Sequence, residues 1–153
     1  MTRSYPDRPV VGVIAVVWRE DSVLLVRRAN PPDAGKWGFP GGKQHLGETI
    51  FDAAMRELRE ETGVVAEPSE VVTAVDVIER DEAGRVRYQF TLVAVLGIWQ
   101  AGEGVADDDA DAVAWVRPDD LARGEMILSA DVEEVIRLSA ERLTPPHGST
   151  SSP

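Results

Sequence analysis

The chain has 153 residues, and the 43% that are apolar fit one domain with one real core. Its net charge of −11 argues against a nucleic-acid binder, which normally needs a basic face, and no charge-free apolar stretch approaches the roughly 18 residues of a membrane span. Without cysteine there are no disulfides, thiolate metal sites or cysteine nucleophiles, and the N-terminus MTRSYPDRPV, which lacks an apolar leader core, permits a cytoplasmic location.

In chain order, residues 1–8 are polar and proline-punctuated and read as a loose arm. Residues 10–18 (VVGVIAVVW) and 23–28 (VLLVRR) are β-rich runs around the turn signal Arg19-Glu20-Asp21-Ser22, which predicts a hairpin. Residues 30–48 are rich in glycine and proline, which predicts a long irregular loop of the kind that carries function. Thr49 opens a helix running to about Thr62, with Asp52 three residues on and Gly63 at the C-terminal left-handed cap position. Residues 70–79 and 85–98 form a second strand pair about Asp81-Glu82-Ala83-Gly84. Residues 112–117 read as a short strand and Pro118–Leu121 as one helical turn. Ser129 is placed as the cap of a last helix to about Leu143, with Val132, Val135 and Ile136 inward. The tail from residue 144 to 153 reads as disordered. The single domain therefore spans 9–143. Its class is α+β, with a mixed β-sheet between helices.

The chemistry concentrates between Gly42 and Val64, GKQHLGETIFDAAMRELREETGV. At 100° per residue, Phe51, Met55, Leu58 and Thr62 gather on one side of the helix, while Glu57, Glu60 and Glu61 share another arc. Ala53 lies between them and is small, which leaves room for ions. Carboxylates at i, i+3 and i+4 repel each other, and the C-terminal half of a helix disfavours negative charge. Solvation can relieve this, and so can a divalent cation. Mg²⁺ takes hard oxygen ligands, one or two carboxylates among them, and adds water and substrate phosphate. An acidic solvated face is the ordinary reading of such a string. The Gly-rich run Phe39-Pro40-Gly41-Gly42 entering the helix favours a ligand site, because glycine lets backbone approach closely.

This segment resembles the Nudix box, G-x5-E-x7-R-E-U-x-E-E-x-G-U with U aliphatic. Gly42, Glu48, Arg56, Glu57, Leu58, Glu60, Glu61, Gly63 and Val64 fill every fixed position. From average residue usage, a chance match at one start point is on the order of one in 10⁹. Trp37-Gly38-Phe39-Pro40-Gly41 also looks like the usual lead-in. The resemblance implies an α/β/α sandwich, a Mg²⁺ cofactor that Mn²⁺ can replace, and cleavage of a diphosphate bond in a small nucleotide. It also implies roles. Glu57, Glu60 and Glu61 would ligate the metal with the Gly41 carbonyl, and one of them, Glu57 favoured, would be the general base. Arg56 would grip a glutamate with two hydrogen bonds, and Glu48 would be an accessory ligand. A late-loop acid about six residues before a tryptophan points, from Trp115, to Asp109 in the run Asp107-Asp108-Asp109; a solvated acidic turn competes with that assignment.

Arg27 and Arg28 end a strand beside the loop, and alternation turns only one to the site. The resemblance favours Arg28 for substrate phosphate, with a surface charge as the alternative. Lys43 is a second phosphate candidate, although Gly-Gly-Lys is not a P-loop. His45 reads as loop surface, and Trp18, Trp37, Trp99, Trp115 and Phe39 as core.

Three functions remain. Arg27-Arg28-Ala29-Asn30-Pro31-Pro32 followed by Gly35-Lys36-Trp37 is similar to small ADP-ribose pyrophosphatases, which slightly favours a sugar nucleotide of that type. The proline such enzymes often carry about sixteen residues past the box is absent from Glu79-Arg80-Asp81. The tyrosine of diadenosine-polyphosphate hydrolases is absent there too. The alternative is a mutator-type enzyme that removes diphosphate from a nucleoside triphosphate, oxidised dGTP included. The third is a non-catalytic ligand sensor, which usually loses box glutamates that this chain keeps. Members are often homodimers, and the sequence leaves that open.

Overall fold

The computed structural model describes residues 4–31 and 33–143. Strands β1 (Val10–Arg19) and β2 (Ser22–Arg28) form the expected hairpin, in which Arg19 pairs with Ser22 and Glu20 turns the chain at φ 58. β3 (Trp37–Gly38) pairs with β2, and β4 (Gly41–Lys43) pairs antiparallel with β1 through Val13 and Gly42. After α1 (Ile50–Thr62), two long strands, β5 (Val65–Arg80) and β6 (Val86–Ala101), pair antiparallel. β6 then runs parallel to β1, from Val10 opposite Phe90 to Trp18 opposite Ile98. β7 (Ala110–Val116) pairs with β2, and α2 (Pro118–Leu121) and α3 (Val132–Leu143) complete the chain. The sheet order is β3-β2-β1-β6-β5, with β4 beside β1 and β7 beside β2. One parallel pairing among antiparallel ones makes it a mixed sheet, as expected for this α+β class.

The sheet carries a core on each face because β1 alternates. Val13, Ala15 and Val17 pack with Leu24, Ala53 and Leu58 under α1, while Val16 packs with Leu25, Val135 and Ile136 under α3. Among the described residues, no helix is long and apolar enough to cross a membrane. The tail after residue 143 and the first three residues of the arm lie outside the described residues. Tyr5 of the arm donates its backbone N–H to Arg87 and its hydroxyl to Asp81.

Several expectations need correction. The segment 30–48 is not wholly irregular, for it contains β3 and β4. Gly41 serves strand packing, since a β-carbon there would lie 2.1 Å from the Val13 carbonyl oxygen, whereas Gly35 and Gly47, at φ 85 and 86, serve turns. The second strand pair is longer than 70–79 and 85–98, because register shifts around Val65, Pro68 and Val71 let an edge strand absorb Pro68. Ala53 leaves no room for ions, since it is fully buried and brings α1 close to the sheet. Ser129 does not cap α3: the helix begins three residues later, and the Ser129 hydroxyl has no hydrogen-bond partner.

Candidate active site

The acidic helix is fixed at both ends. Thr49 Oγ1 accepts from the Asp52 N–H at 3.0 Å, and Gly63, at φ 73, donates to Arg59 O at 2.8 Å. The Thr62 hydroxyl donates to Leu58 O and accepts from Val64 N, which leads the chain into β5. Between these ends α1 turns Glu57 and Glu61 toward β4.

Glu57 lies against Gly42. A β-carbon there would meet Glu57 Oε2 at 1.7 Å, so only glycine leaves space for this carboxyl. Burial pushes Glu57 up to about 7, against the pull of Arg56, with Glu60 and Asp108 adding repulsion. Glu61 is 4% exposed. Burial first, then the neighbouring Glu57, pushes it up to about 8, while a hydrogen bond from the Gly41 backbone N–H and the charge of Arg28 act the other way. Two burdened carboxyls thus sit side by side over the Gly41-Gly42 strand.

Arg56 holds one carboxylate of the arc, Glu60, with a single hydrogen bond and Glu48 with two. Its Nε donates to Oε2 at 2.6 Å and its Nη2 to Oε1 at 2.9 Å. Nη1 donates to Glu60 at 2.8 Å, and Nη2 donates also to the Lys43 carbonyl at 3.0 Å. This guanidinium therefore ties the 43–48 loop to the helix. Its hydrogen bonds, with one from the His45 N–H, hold Glu48 down at about 2.

The late loop is docked on the end of α1. Val105 N donates to Thr62 O at 2.8 Å and Asp107 N to Glu61 O at 2.9 Å, which satisfies two carbonyls the helix leaves open. This brings Asp108 into electrostatic reach of Glu57, and Asp109 of Glu61. Asp109 Oδ1 accepts from Asn30 Nδ2 at 3.1 Å. Asp108, at φ 56, was passed over by the tryptophan spacing, and no local motif in the sequence marks it.

The two arginines at the end of β2 part as alternation requires. Arg27 pairs with Asp111 at 2.6 Å, and Arg28 lines a cleft of about 620 Å³ beside Gly41. Lys43 is not brought to that cleft; it opens on a second groove, of about 790 Å³, with His45 and Glu48. His45 is an exposed loop residue.

Among the described residues, no three acidic side chains already converge into a cage for an ion. The donor set nevertheless fits a hard divalent cation. Glu57 and Glu61 are close, poorly hydrated and mutually repelling, and a Mg²⁺ ion needs only one or two carboxylates, with waters and phosphate completing its shell.

The NUDIX domain family profile matches residues 8–137. The chain is 30% identical over 129 residues to an ADP-ribose pyrophosphatase of Methanocaldococcus jannaschii, covering 84% of this chain and 72% of that one. It is 35% identical over 104 residues to the 8-oxo-dGDP phosphatase NUDT18 of Mus musculus, covering 67% of this chain and only 31% of that protein. Among solved structures it is similar to the NUDIX domain of Shewanella oneidensis NrtR complexed with ADP ribose. That likeness has a TM-score of 0.67 and 29% identity, and it covers 91% of each chain.

Proposed function

The chain belongs to the Nudix hydrolase family, whose chemistry is hydrolysis of a diphosphate bond, and from that premise we propose that it cleaves a nucleoside diphosphate linked to a sugar, of the ADP-ribose type, with Mg²⁺. The observation that carries the reading is the pairing of half-buried Glu57 with buried Glu61 against Gly41 and Gly42, with Arg28 in the adjoining cleft.

A diphosphate resists attack because its own charge repels a nucleophile. Glu57 and Glu61 would hold the metal with the Gly41 carbonyl, and Glu60 and Asp109 add negative charge nearby. When bound, Mg²⁺ supplies charge neutralisation of the diphosphate and a fixed site for its oxygens. The chain's residues do the rest. Arg28 binds substrate phosphate from the cleft side. Arg56 and Glu48 hold the loop so that Gly41 and Gly42 stay against the glutamates. Glu57 takes the proton of the attacking water.

The sugar-nucleotide reading draws on the Methanocaldococcus relative and on the ADP ribose held by the NrtR domain. Activity on oxidised guanine nucleotides has its own support in the mouse relative, named for 8-oxo-dGDP rather than for a triphosphate, over a smaller share of that protein. A substrate panel decides between them: ADP-ribose, other sugar nucleotides, dinucleotides and all NTPs and dNTPs, with Mg²⁺ and with EDTA, and with products identified. Release of AMP from ADP-ribose as the fastest reaction supports the proposal. Faster release of diphosphate from a triphosphate overturns it.

A further inference from the structure

The cleft beside Gly41 is electrically lopsided. Its floor is apolar, built from Ile14, Phe90 and Leu92 of the central strands. Arg28 stands at the Gly41 side, and Lys36 is neutralised by Asp33 at 3.4 Å. The remaining rim is acidic. Glu79 comes from β5, on the same face of the strand as Val75 and Val77, Asp131 comes from the turn before α3, and neither has an ion-pair partner among the described residues. Ser129 lines the same cleft, with a hydroxyl oxygen that is buried and unpartnered. A buried hydroxyl without a partner is costly, which is the usual sign that something else completes it.

These features select a ligand chemistry. A phosphate is attracted at the Arg28 end and repelled along the Glu79–Asp131 rim. Carboxylates accept hydrogen bonds from sugar hydroxyls and exocyclic amines, and the apolar floor suits a ring face. We propose that the cleft receives a neutral, hydroxyl-bearing moiety flanking the diphosphate, and that Glu79 and Asp131 reject substrates carrying an additional phosphate on that moiety. The inference rests on reading the Glu57–Glu61 site as the diphosphate-cleaving centre, and it deepens that reading by naming which substrates are refused.

The test compares kcat/KM of the full chain in Mg²⁺ for ADP-ribose and two derivatives, one with a 2′-phosphate on the adenosine and one with a phosphate on the terminal ribose. The two derivatives distinguish which end of the substrate lies in the cleft. Like charge across a binding surface costs enough that about a tenfold or greater preference for ADP-ribose over one derivative is expected, mainly in KM. The double variant Glu79→Gln, Asp131→Asn, on an exposed rim, should shrink that preference several-fold, while Glu67→Gln at the far end of β5 should leave it intact. Equal kcat/KM for all three substrates overturns the inference, and so does an equal effect of Glu67→Gln. A chain that cleaves a triphosphate but not ADP-ribose refutes the underlying reading and the inference with it, a result distinct from indifference among the three.

Discussion

The carboxylate of Glu57 occupies the space that a side chain on Gly42 would need, with Oε2 1.7 Å from the place of its β-carbon. The obstructing atom is the far end of a flexible side chain, so Gly42→Ala should fold and simply push the carboxylate aside. A displacement of about 1 Å in a catalytic group can cost roughly 10²-fold, so kcat should fall by about that factor with little change in Tm. Gly41→Ala meets the Val13 carbonyl at 2.1 Å instead, and backbone in a central strand cannot step aside. That variant should lose Tm by about 4 °C or more. Paired activity and melting measurements separate the two, and a Gly42→Ala enzyme of normal kcat would count against the placement of Glu57.

Much of this arrangement was legible in the sequence. Periodicity located α1, because Thr49 and Gly63 punctuate it and its apolar side is continuous. The spacing of the glutamates put them on one arc. What sequence could not give was burial: Glu61 shares that arc, but only the docking of α1 against β4 and of the 105–109 loop against its C-terminus makes it 4% exposed. Ser129 misled for a related reason. It is a good capping residue in the right place, yet its neighbour Asp131 adopts φ 72 and the helix starts after it. Composition also hid β3 and β4, since glycines chosen for close strand approach look the same as glycines in a loop.

The two raised carboxyls give the metal-free protein an unusual pH dependence. Glu57 and Glu61 hold protons in the folded state up to about 7 and about 8, against 4.5 for an ordinary glutamate. Their stabilising contribution is full below pH 4.5 and is lost as pH rises through 7 and 8. Melting in EDTA should therefore show Tm falling over that window, and Glu61→Gln should flatten the fall. Added Mg²⁺ should raise Tm most above pH 8, where both ligands are ionised. A Tm in EDTA that does not drop between pH 5 and pH 8.5 would show that these carboxyls are not burdened.

The late loop offers a graded comparison. Asp109 stands near Glu61, and its Oδ1 accepts from Asn30. Asp107 uses its Oδ1 to receive the Asp108 N–H at 2.7 Å, a bond asparagine can also accept. Asp109→Asn should thus lower activity at limiting Mg²⁺ by about tenfold, in the range for residues that tune a metal site, while Asp107→Asn changes it less than about twofold by the same scale. Asp108→Asn, removing charge beside Glu57, should fall nearer the first. Mg²⁺ activation curves for the three variants check the order; if all three match the wild type, the run is a solvated turn.

Grip and chemistry can also be told apart on α1. Arg56→Lys keeps a cation but loses the two-pronged hold on Glu48, since an ammonium cannot present Nε and Nη2 together. The 43–48 loop should loosen, so the Mg²⁺ concentration for half-maximal activity should rise while kcat at saturating Mg²⁺ stays within about fivefold, a second-sphere effect. A loss of kcat that no Mg²⁺ restores would move Arg56 from positioning into the chemistry itself.

The last prediction separates half-buried Glu57 from buried Glu61. Glu57→Gln keeps the volume beside Gly42 and one hydrogen-bond acceptor but cannot take a proton from water. A positioned base contributes about 10²- to 10⁴-fold, so kcat should drop by that range, with KM moving less because the Arg28 cleft is untouched. Stability at pH 8 in EDTA should hold or improve, because a repelling half-buried charge has gone. Glu61→Gln still accepts the Gly41 N–H, so β4 should stay in place, and its defect should appear as weaker metal binding. High Mg²⁺ should then rescue much of the Glu61→Gln activity and little of the Glu57→Gln activity. Rescue of both to the same degree would make the pair joint ligands with the base elsewhere. A Glu57→Gln enzyme with wild-type kcat at saturating Mg²⁺ would remove Glu57 from proton transfer altogether.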